Sequence, residues 1–314
     1  MIIEEVSKDK YTEIVEPDIF FNSIEFNELN RHKVDEVKYL LFKDTKYRLG
    51  LCIGINSDSA SCPFSAPFGS FVKVRSLVTI KNYDDAVHCL DDYLKQQGIN
   101  KIRFILPPAI YDVDDLTLQI SALKRNGYEL PYVDLNYYID LIECDENEYI
   151  NNLPQNGRKN LRIASESDLR VLNVELEEEI ISAYGIINEN RRSKGYPLRM
   201  SYDDVKRTLE IVGHDCFIVY KNEVAIASAI VYRVSKDIAQ VIYWGDIPGV
   251  GEYKPINFLA YELFKYYKKL GYRYLDIGPS SEKGEPNYGL CDFKASIGCH
   301  TDIKFTMSKG LING

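Results

Sequence analysis

The sequence has little of what metal sites and disulfide frameworks need. It contains seven cysteines but no C-x-x-C pair, and only four histidines, so no zinc-type spacing is present. We expect reduced thiols, because the odd number and the missing export signal both argue against disulfides. A catalytic cysteine is the alternative, although free cysteine is usually a small buried hydrophobe. We predict no metal.

The sequence also lacks long apolar runs and an excess of basic charge. The best apolar stretch, residues 224–232, is too short to cross a bilayer, and residues 1–5 lack the basic start of a signal peptide. We therefore expect no transmembrane segment and a cytoplasmic location. The 38 Lys and Arg against 47 Asp and Glu give a net charge of −9, which disfavours broad binding to nucleic-acid phosphates and leaves room only for a local basic groove.

What is present is the composition of a folded chain with about two domains. The length of 314 residues suits two units of ordinary size, each with its own core. Hydrophobic residues make up 45% and charged residues 27%, which excludes a disordered chain.

The C-terminal half predicts a distinctive order of elements, β-α-α-β-β-β-α-β-α-β. The alternating and helical periodicities, with their caps and turns, place them as follows: strand 168–174, helix 176–194, a helix from Ser201 to Gly213, strands 216–220, 224–232 and 238–245, a helix from Pro255 to Gly271, strand 272–278, a short helix around 292–295 and strand 301–307. Ordinary α/β domains alternate one strand with one helix. This order resembles the GNAT acyltransferase fold.

The N-terminal half repeats the later part of that order. Its predicted elements are strands 37–42, 47–55 and 69–74, helix 84–97, strand 101–106, helix 115–126 and strand 132–139. Residues 93–104 also resemble residues 266–277 in letters, with Gly98 and Gly271 in matching places. We interpret this as an internal duplication. The polar stretch near Cys144 marks the boundary, giving domains 1–145 and 146–314.

A donor site is predicted after the strand that ends at Trp244. In open α/β sheets, ligands bind where neighbouring strands diverge beyond their carboxyl ends. Residues 247–255 lead from that strand into a helix N-terminus, which favours a phosphate, and two glycines would permit close approach. A flexible turn without a ligand is the alternative. The candidate donor-binding residues are Trp244, Gly249, Val250, Gly251 and Asn257.

The matching loop of the first domain, residues 62–71, is aromatic and proline-rich and does not lead directly into a helix. We therefore expect a degenerate first domain, with this loop in an acceptor pocket or a domain interface.

Three segments make the resemblance more specific: residues 153–164, 271–278 and 292–298 resemble the Fem-type branch of the GNAT superfamily. That branch has two such domains and includes peptidyltransferases that add amino acids to cell-wall precursors. The resemblance implies an α/β fold of two tandem GNAT-like domains, each a mixed twisted sheet flanked by helices.

The resemblance also implies functional roles for three basic residues. Arg158 and Arg162 match the paired arginines that open the second domain, and Lys294 matches the lysine of a Phe-Lys segment. The Fem-type pattern implies that this lysine contacts a phosphate of acceptor or donor; the alternative for all three is a solvated surface cation. The chain lacks the long charged helical hairpin of the wall-building members, which argues against an aminoacyl-tRNA donor.

The catalytic candidates lie at the same end of the predicted sheet. Asp276 could accept a proton from an attacking amine, or it could only bind turn amides and shape the loop. Tyr243 could donate to a leaving thiolate, and Glu252 is a further candidate.

The expected function is N-acyl transfer from acyl-CoA to the amine of a small molecule, an amino sugar or a cell-envelope precursor. The alternatives are aminoacyl-tRNA-dependent peptidyl transfer and a non-catalytic module that binds a ligand or a protein.

Overall fold

The chain forms two compact units, which we describe from a computed structural model covering residues 1–74 and 77–311. The first unit comprises Met1–Leu135, Glu282–Glu285 and the C-terminal segment from Asp302; the second comprises Asn136–Ser281 and Pro286–Thr301. These limits differ from the predicted halves 1–145 and 146–314. The physical reason is that the last strand pairs within the sheet of the first unit from Thr306 onward.

The N-terminal part of the chain contains four α-helices, two short 3₁₀ turns and seven strands among the described residues. The strands are β1 (Ile2–Val6), β2 (Glu36–Lys43), β3 (Tyr47–Asn56), β4 (Ser59–Cys62), β5 (Val72–Lys73), β6 (Lys101–Ile105) and β7 (Glu129–Asp140). The helices are α1 (Lys8–Ile14), α2 (Ile24–Leu29), α3 (Ile80–Gln96) and α4 (Val113–Arg125).

The remaining elements follow the order predicted for the C-terminal half, except that two helices precede it and the short strands β13 and β14 are inserted before its last helix. They are α5 (Glu146–Asn152), α6 (Gln155–Ser165), β8 (Leu169–Val174), α7 (Glu177–Ser193), α8 (Tyr202–Leu209), β9 (His214–Lys221), β10 (Val224–Arg233), β11 (Ile238–Asp246), α9 (Pro255–Lys269), β12 (Tyr274–Pro279), β13 (Ser281–Glu282), β14 (Glu285–Pro286), α10 (Tyr288–Ser296) and β15 (His300–Gly310).

The sheet of the first unit has the order β1-β2-β3-β4-β6-β15, and β5 pairs with β3. Successive residues of β2 enter different cores, because side chains of a strand alternate between its faces. Leu40 and Phe42 join the cluster packed under α3 and α4, whereas Tyr39 and Leu41 join the cluster beside α1. This two-sided burial fixes the register of the central strands.

The sheet of the second unit has the order β7-β12-β11-β10-β9-β8. The β11–β12 pair is parallel and the others are antiparallel. Helix α7 packs on β10 and β11, and α9 packs on β8, β10 and β11. The side chains of Leu259, Leu263 and Phe264, on the face of α9 that packs on the sheet, are fully buried.

Local signals explain why these elements begin and end where they do. Ser201 and Asp204 form a reciprocal capping box at the start of α8, each side chain accepting the backbone N–H of the other. The β9–β10 hairpin turns at Asn222 and Glu223, which both have positive φ, as a type I′ turn requires. The mixed α/β class predicted from the sequence is confirmed.

Candidate functional site

Two adjacent strands of the second unit separate at their carboxyl ends. β11 and β12 pair at three positions, the last of which joins Gln240 to Asp276. Beyond this point β11 stays paired with β10 as far as Asp246, whereas β12 stays paired with β7 as far as Pro279. No further β11–β12 pair occurs in the part of the chain that the structure describes. A wedge therefore opens between the strands, at the edge where ligands bind in open α/β sheets. We call it the β11–β12 wedge.

A β-bulge lies on β11 where the wedge begins. Two consecutive residues of β10 pair with Tyr243 and Val241, so Ile242 is an extra residue in the strand. A bulged residue is left outside the regular ladder and re-aims its neighbours. The first four residues of β11 are buried, but Ile242, Tyr243 and Trp244 are only half-buried. The bulge therefore marks the change from a packed strand to an accessible one.

Asp276 is located at the vertex of the wedge and is fully buried. Its Oδ1 accepts hydrogen bonds from Asn136 Nδ2 and from the backbone N–H of Gly278, both at 2.8 Å, and its Oδ2 accepts one from Gln240 Nε2 at 2.8 Å. These contacts tie β7, β11 and β12 together at the last β11–β12 pair. They correspond to the interpretation in which Asp276 shapes the turn.

Lys294 of α10 is a buried cation, only 1% exposed, rather than a solvated one. Its Nζ donates to the carbonyl oxygens of Gly278 at 2.8 Å and Pro279 at 3.0 Å, at the end of β12, and lies 5.4 Å from the centre of the Tyr137 ring. Burial lowers the pKa of Lys294 from 10.5 to about 8, while the charge of Asp276 acts in the opposite direction. The ammonium is therefore held beside the wedge by carbonyl groups.

The position of α10 is set by close packing against the start of the second unit. A Cβ on Gly157 of α6 would lie 1.9 Å from the Ser296 carbonyl oxygen, so only glycine permits this approach. The Tyr149 hydroxyl donates to the Ile297 carbonyl oxygen at 2.7 Å. These contacts at the end of α10 orient the helix that carries Lys294.

The two arginines that match the Fem-type pattern, Arg158 and Arg162, have partners within the protein. Arg158 donates from one guanidinium nitrogen to the carbonyl oxygens of Asn151 at 2.8 Å and Leu153 at 2.6 Å, at the end of α5. Arg162 is exposed, and its Nε lies 3.9 Å from a carboxylate oxygen of Glu166. Arg158 thus caps the end of the preceding helix, α5, and the substrate-binding role of both arginines stays a prediction.

The predicted donor loop, between β11 and α9, contains an intervening 3₁₀ turn at Gly251–Tyr253. The N–H of Tyr253 bonds to Val250 and that of Lys254 bonds to Gly251, so these two donors are used within the loop. Gly249 has φ +90°, where a side chain would be strained.

At the helix start, Pro255 has no N–H to offer. First-turn N–H groups that no intrahelical carbonyl can reach begin at Ile256 and Asn257, and the Asn257 side chain is largely buried. Glu252 is exposed on the same loop, and its carboxylate raises the pKa of the adjacent Tyr253 hydroxyl. The loop therefore presents few donors and one negative charge to a phosphate.

The corresponding place in the first unit is filled by the chain itself. β4 and β6 are parallel and pair as far as Cys62, after which the chain folds back so that Gly69 N–H donates to Ile105 O at 2.9 Å. Phe71 then stacks on Phe104, with ring centres 5.7 Å apart. This packing favours the expectation that the first unit does not hold the donor.

Comparison with solved structures identifies the fold. FemX superposes with a TM-score of 0.70 at 12% identity, over 98% of this chain and 97% of that chain. The chain has a Fem-type tandem GNAT-like fold. L-PGS from Bacillus licheniformis superposes with a TM-score of 0.58 at 11% identity, covering 96% of this chain and 90% of that one. A tandem GNAT protein from the clavulanic acid biosynthesis pathway covers 99% of both chains with a TM-score of 0.50 at 7% identity. The predicted Fem-type resemblance is confirmed for the fold.

No protein-family model matches the sequence, and no curated protein matches it. The Fem-type fold is therefore identified from three-dimensional similarity. Across residues 1–74 and 77–311, no helix is both long and apolar enough to cross a membrane. In the same residues no group of three or more His, Cys, Asp or Glu side chains is arranged to hold a metal ion.

Several residues at the candidate site could not be predicted from the sequence. Asn136 and Gln240 bind the Asp276 carboxylate from two neighbouring strands, and each keeps a buried amide oxygen with no partner among the described residues. Arg191, at the end of α7, has a buried Nε that is likewise unpaired there. Single polar residues within strongly periodic elements carry no local signal. Only a prediction of the long-range strand order would bring them together.

Proposed function

We propose that this chain is an N-acyltransferase that moves an acyl group, from acyl-CoA, to the amine of a small molecule, an amino sugar or a cell-envelope precursor. The observation that supports the proposal best is the β11–β12 wedge with the buried ammonium of Lys294 beside it. A parted pair of strands can accept an extended donor between them, and a fixed cation can stabilise the charge that acyl transfer develops.

The chemical step is attack of a neutral amine on the carbonyl carbon of a thioester. The new C–N bond forms a tetrahedral oxyanion, and its collapse breaks the C–S bond and releases a thiolate. Lys294 has three N–H donors, of which two bind carbonyl oxygens at the end of β12. The third donor and the bulged backbone at Ile242 are the groups that we assign to the oxyanion.

Tyr243 is assigned to the leaving group. Burial raises the pKa of its hydroxyl, while the charge of Arg191 acts in the opposite direction. A hydroxyl that stays protonated at neutral pH can donate its proton to a thiolate. Asp276 accepts three hydrogen bonds that hold the vertex, which supports a positioning role. The proton lost by the amine passes to water, with exposed Glu252 as the alternative acceptor, and the Tyr243 phenolate then takes back a proton from water.

An aminoacyl-tRNA donor is the second candidate, and one observation favours it. The loop between β11 and α9 spends two N–H groups on its own 3₁₀ turn and carries Glu252, so it is poorly suited to a pyrophosphate. An aminoacyl ester would place its carbonyl in the same wedge and react by the same attack. The net charge of −9 and the few basic residues in this loop oppose it.

Calorimetric titration with CoA and with a stable aminoacyl-tRNA analogue tests the proposal. We expect CoA to bind, and amine-dependent release of thiol from acetyl-CoA to fall by about 10²- to 10³-fold in Lys294→Met. Lys269→Met, at an exposed position at the end of α9, is the matched control and should leave the rate unchanged. If CoA does not bind at millimolar concentration but the analogue does, the donor is aminoacyl-tRNA. If neither binds, the proposed transferase is rejected.

A further inference from the structure

The segment that joins α7 to α8 concentrates positive charge. Residues 190–200, which we call the α7–α8 segment, contain four cations, Arg191, Arg192, Lys194 and Arg199, and no carboxylate. The whole chain has 38 Lys and Arg against 47 Asp and Glu, so this segment departs from its average. Arg192, Lys194 and Arg199 are exposed. The segment is therefore a local basic surface on an acidic protein, and such a surface attracts anionic ligands.

The backbone of the α7–α8 segment is held in place by the end of α7. Gly195 has φ +78° and donates its N–H to the Arg192 carbonyl oxygen at 3.1 Å, and Tyr196 donates its N–H to the Arg191 carbonyl oxygen at 3.0 Å. These two hydrogen bonds form a Schellman motif. The exposed cations are therefore presented from an ordered turn, which lowers the entropy lost when a ligand binds.

Tyr196 departs from the usual form of this motif. The residue after the glycine commonly packs an apolar side chain on the last turn of the helix, but Tyr196 is 70% exposed. The helix dipole accounts for cations at the end of α7, but it does not account for an aromatic ring in water. A nucleotide uses both kinds of group, because its base stacks on a flat ring while its phosphates bind neighbouring cations.

The α7–α8 segment adjoins the edge of the sheet where the β11–β12 wedge opens. Asn190 Nδ2 donates to the backbone and side-chain oxygens of Asp246, the last residue of β11, at 2.7 and 2.9 Å. A Cβ on Gly245 would lie 2.8 Å from Asn190 Cβ, so helix and strand are in close contact here. Lys194 Nζ donates to Asn190 Oδ1 at 3.2 Å. The Lys194 ammonium is therefore held near the carboxyl end of β11.

The loop between β11 and α9 offers little to a phosphate at this same edge. It uses two N–H groups within its own 3₁₀ turn, Pro255 has none to offer, and exposed Glu252 adds a negative charge. Acyl-CoA and aminoacyl-tRNA both carry phosphates, which bind best to cations. The α7–α8 segment supplies exposed cations where that loop does not.

We propose that the α7–α8 segment binds the phosphorylated nucleotide portion of the donor, with phosphate oxygens on Arg192 and Lys194 and the base stacked on Tyr196. The word donor rests on the proposed function, whereas the binding of a nucleotide at this segment does not. CoA and the acceptor end of a tRNA share this chemistry, so the experiment separates them.

The test is calorimetric titration of the full chain with ADP and, separately, with an RNA hairpin. We expect at least one of them to bind, and the double substitution Arg192→Gln with Lys194→Gln to weaken that binding by about 10- to 100-fold, because charge-assisted contacts are lost. The matched control is Lys236→Gln with Lys269→Gln. It removes the same charge from exposed positions before β11 and at the end of α9, at the opposite edge of the sheet, and should stay within about twofold of the parent.

Tyr196 separates a stacked nucleotide from a general attraction of anions. Tyr196→Ala should weaken binding of the same probe by about 5- to 100-fold, because the base loses its stacking partner. Tyr196→Phe keeps the ring and should stay within about twofold of the parent. Equal affinity in Tyr196→Ala and the parent would overturn the assignment of a nucleotide.

Binding of ADP identifies a nucleotide portion like that of CoA, and binding of the RNA hairpin alone identifies a tRNA; either result supports the inference. Equal affinity in the parent and the Arg192 and Lys194 double variant, or no binding of either probe at millimolar concentration, overturns it. Thiol release from acetyl-CoA that is unchanged in this double variant would retain the transferase and reject the nucleotide site. Failure of CoA and the aminoacyl-tRNA analogue to bind, with ADP binding that still depends on Arg192 and Lys194, would reject the transferase and retain the nucleotide site.

Discussion

Replacement of Lys294 by methionine should leave the fold intact and change how stability depends on pH. The ammonium is 1% exposed, and burial lowers its pKa from 10.5 to about 8. That lowering corresponds to roughly 3 kcal/mol of unfavourable free energy for the charged form. Methionine has a similar length and carries no charge, so the substitution removes this cost.

The same substitution removes the donor that binds two carbonyl oxygens. Pro279 is exposed, so water can replace Lys294 there, but Gly278 is buried and would lose its partner. An unsatisfied buried carbonyl costs about 1–3 kcal/mol. The gain and the loss nearly cancel, and we expect the free energies of unfolding of the two proteins at pH 7 to agree within about 2 kcal/mol.

The sign of the pH dependence follows from proton binding. Below pH 8 the lysine is protonated in both folded and unfolded chains, so stability does not change through it. Between pH 8 and 10.5 the unfolded chain holds the proton that the folded chain has released, and stability rises with pH. The parent should therefore gain about 3 kcal/mol over Lys294→Met across this range.

Urea unfolding of both proteins across pH 7 to 11 measures this difference without any substrate. Other groups titrate in both proteins, so their contributions cancel in the comparison. A difference that stays constant with pH would refute the burial of a titrating ammonium. In a working enzyme, the rate should also fall above pH 8 as Lys294 loses its proton.

Four further substitutions test the packing and the turns of the second unit. Gly157→Ala should destabilise the protein by more than about 2 kcal/mol, because the added methyl group would collide with the Ser296 carbonyl oxygen. Gly185→Ala in α7 is the control: its methyl group would enter open space, and it should stabilise the protein by about 0.5–1 kcal/mol. Urea unfolding measures both changes. Asp276→Asn should lower the free energy of unfolding by about 2–4 kcal/mol, because weaker hydrogen bonds replace the charge-assisted ones at the vertex of the wedge. Calorimetry should also show weaker binding of CoA. Unchanged stability would contradict the positioning role of Asp276. Glu223→Gly should raise stability by about 1 kcal/mol in thermal unfolding, since φ +63° strains a side chain; a loss would contradict the turn geometry.

The order of elements could be predicted because its signals are local. The capping pair Ser201 and Asp204 defines the start of α8 within four residues of sequence. Gly195 and Gly271 lie in the left-handed region just beyond α7 and α9, where the sequence places helix ends. The elements of the first 30 residues are harder to predict from the sequence. Helices of six or seven residues, such as α2 and α1, are too short to show a recognisable helical periodicity.

The limits of the two units could not be predicted from the same signals. β15 reads as an ordinary strand, but its residues from Thr306 pair with β6, about 200 positions earlier in the chain. Such pairing depends on contacts between distant segments. A boundary search based on composition places the division at Cys144 instead.

The candidate site shows the same division between local and distant information. The sequence pattern around Asp276 is local and predicts that the residue lies near the end of a strand. In the structure Asp276 does lie where β11 and β12 separate. Whether Lys294 and Arg158 face solvent or carbonyl groups depends on neighbours supplied by β12 and α5. Arg191 carried no signal, because an arginine in the last turn of a helix is common at the surface.

Trp244 allows the central claim to be tested directly. It is the single tryptophan of the chain, lies half-buried beside the β11–β12 wedge and contacts Phe293. A donor that enters the wedge must change its surroundings, and selective excitation of tryptophan isolates this one side chain. Titration with acetyl-CoA, and separately with the aminoacyl-tRNA analogue, should give a saturable change in Trp244 emission with at least one of them. Calorimetric binding of either donor with no change in that emission would place the donor elsewhere and contradict the account.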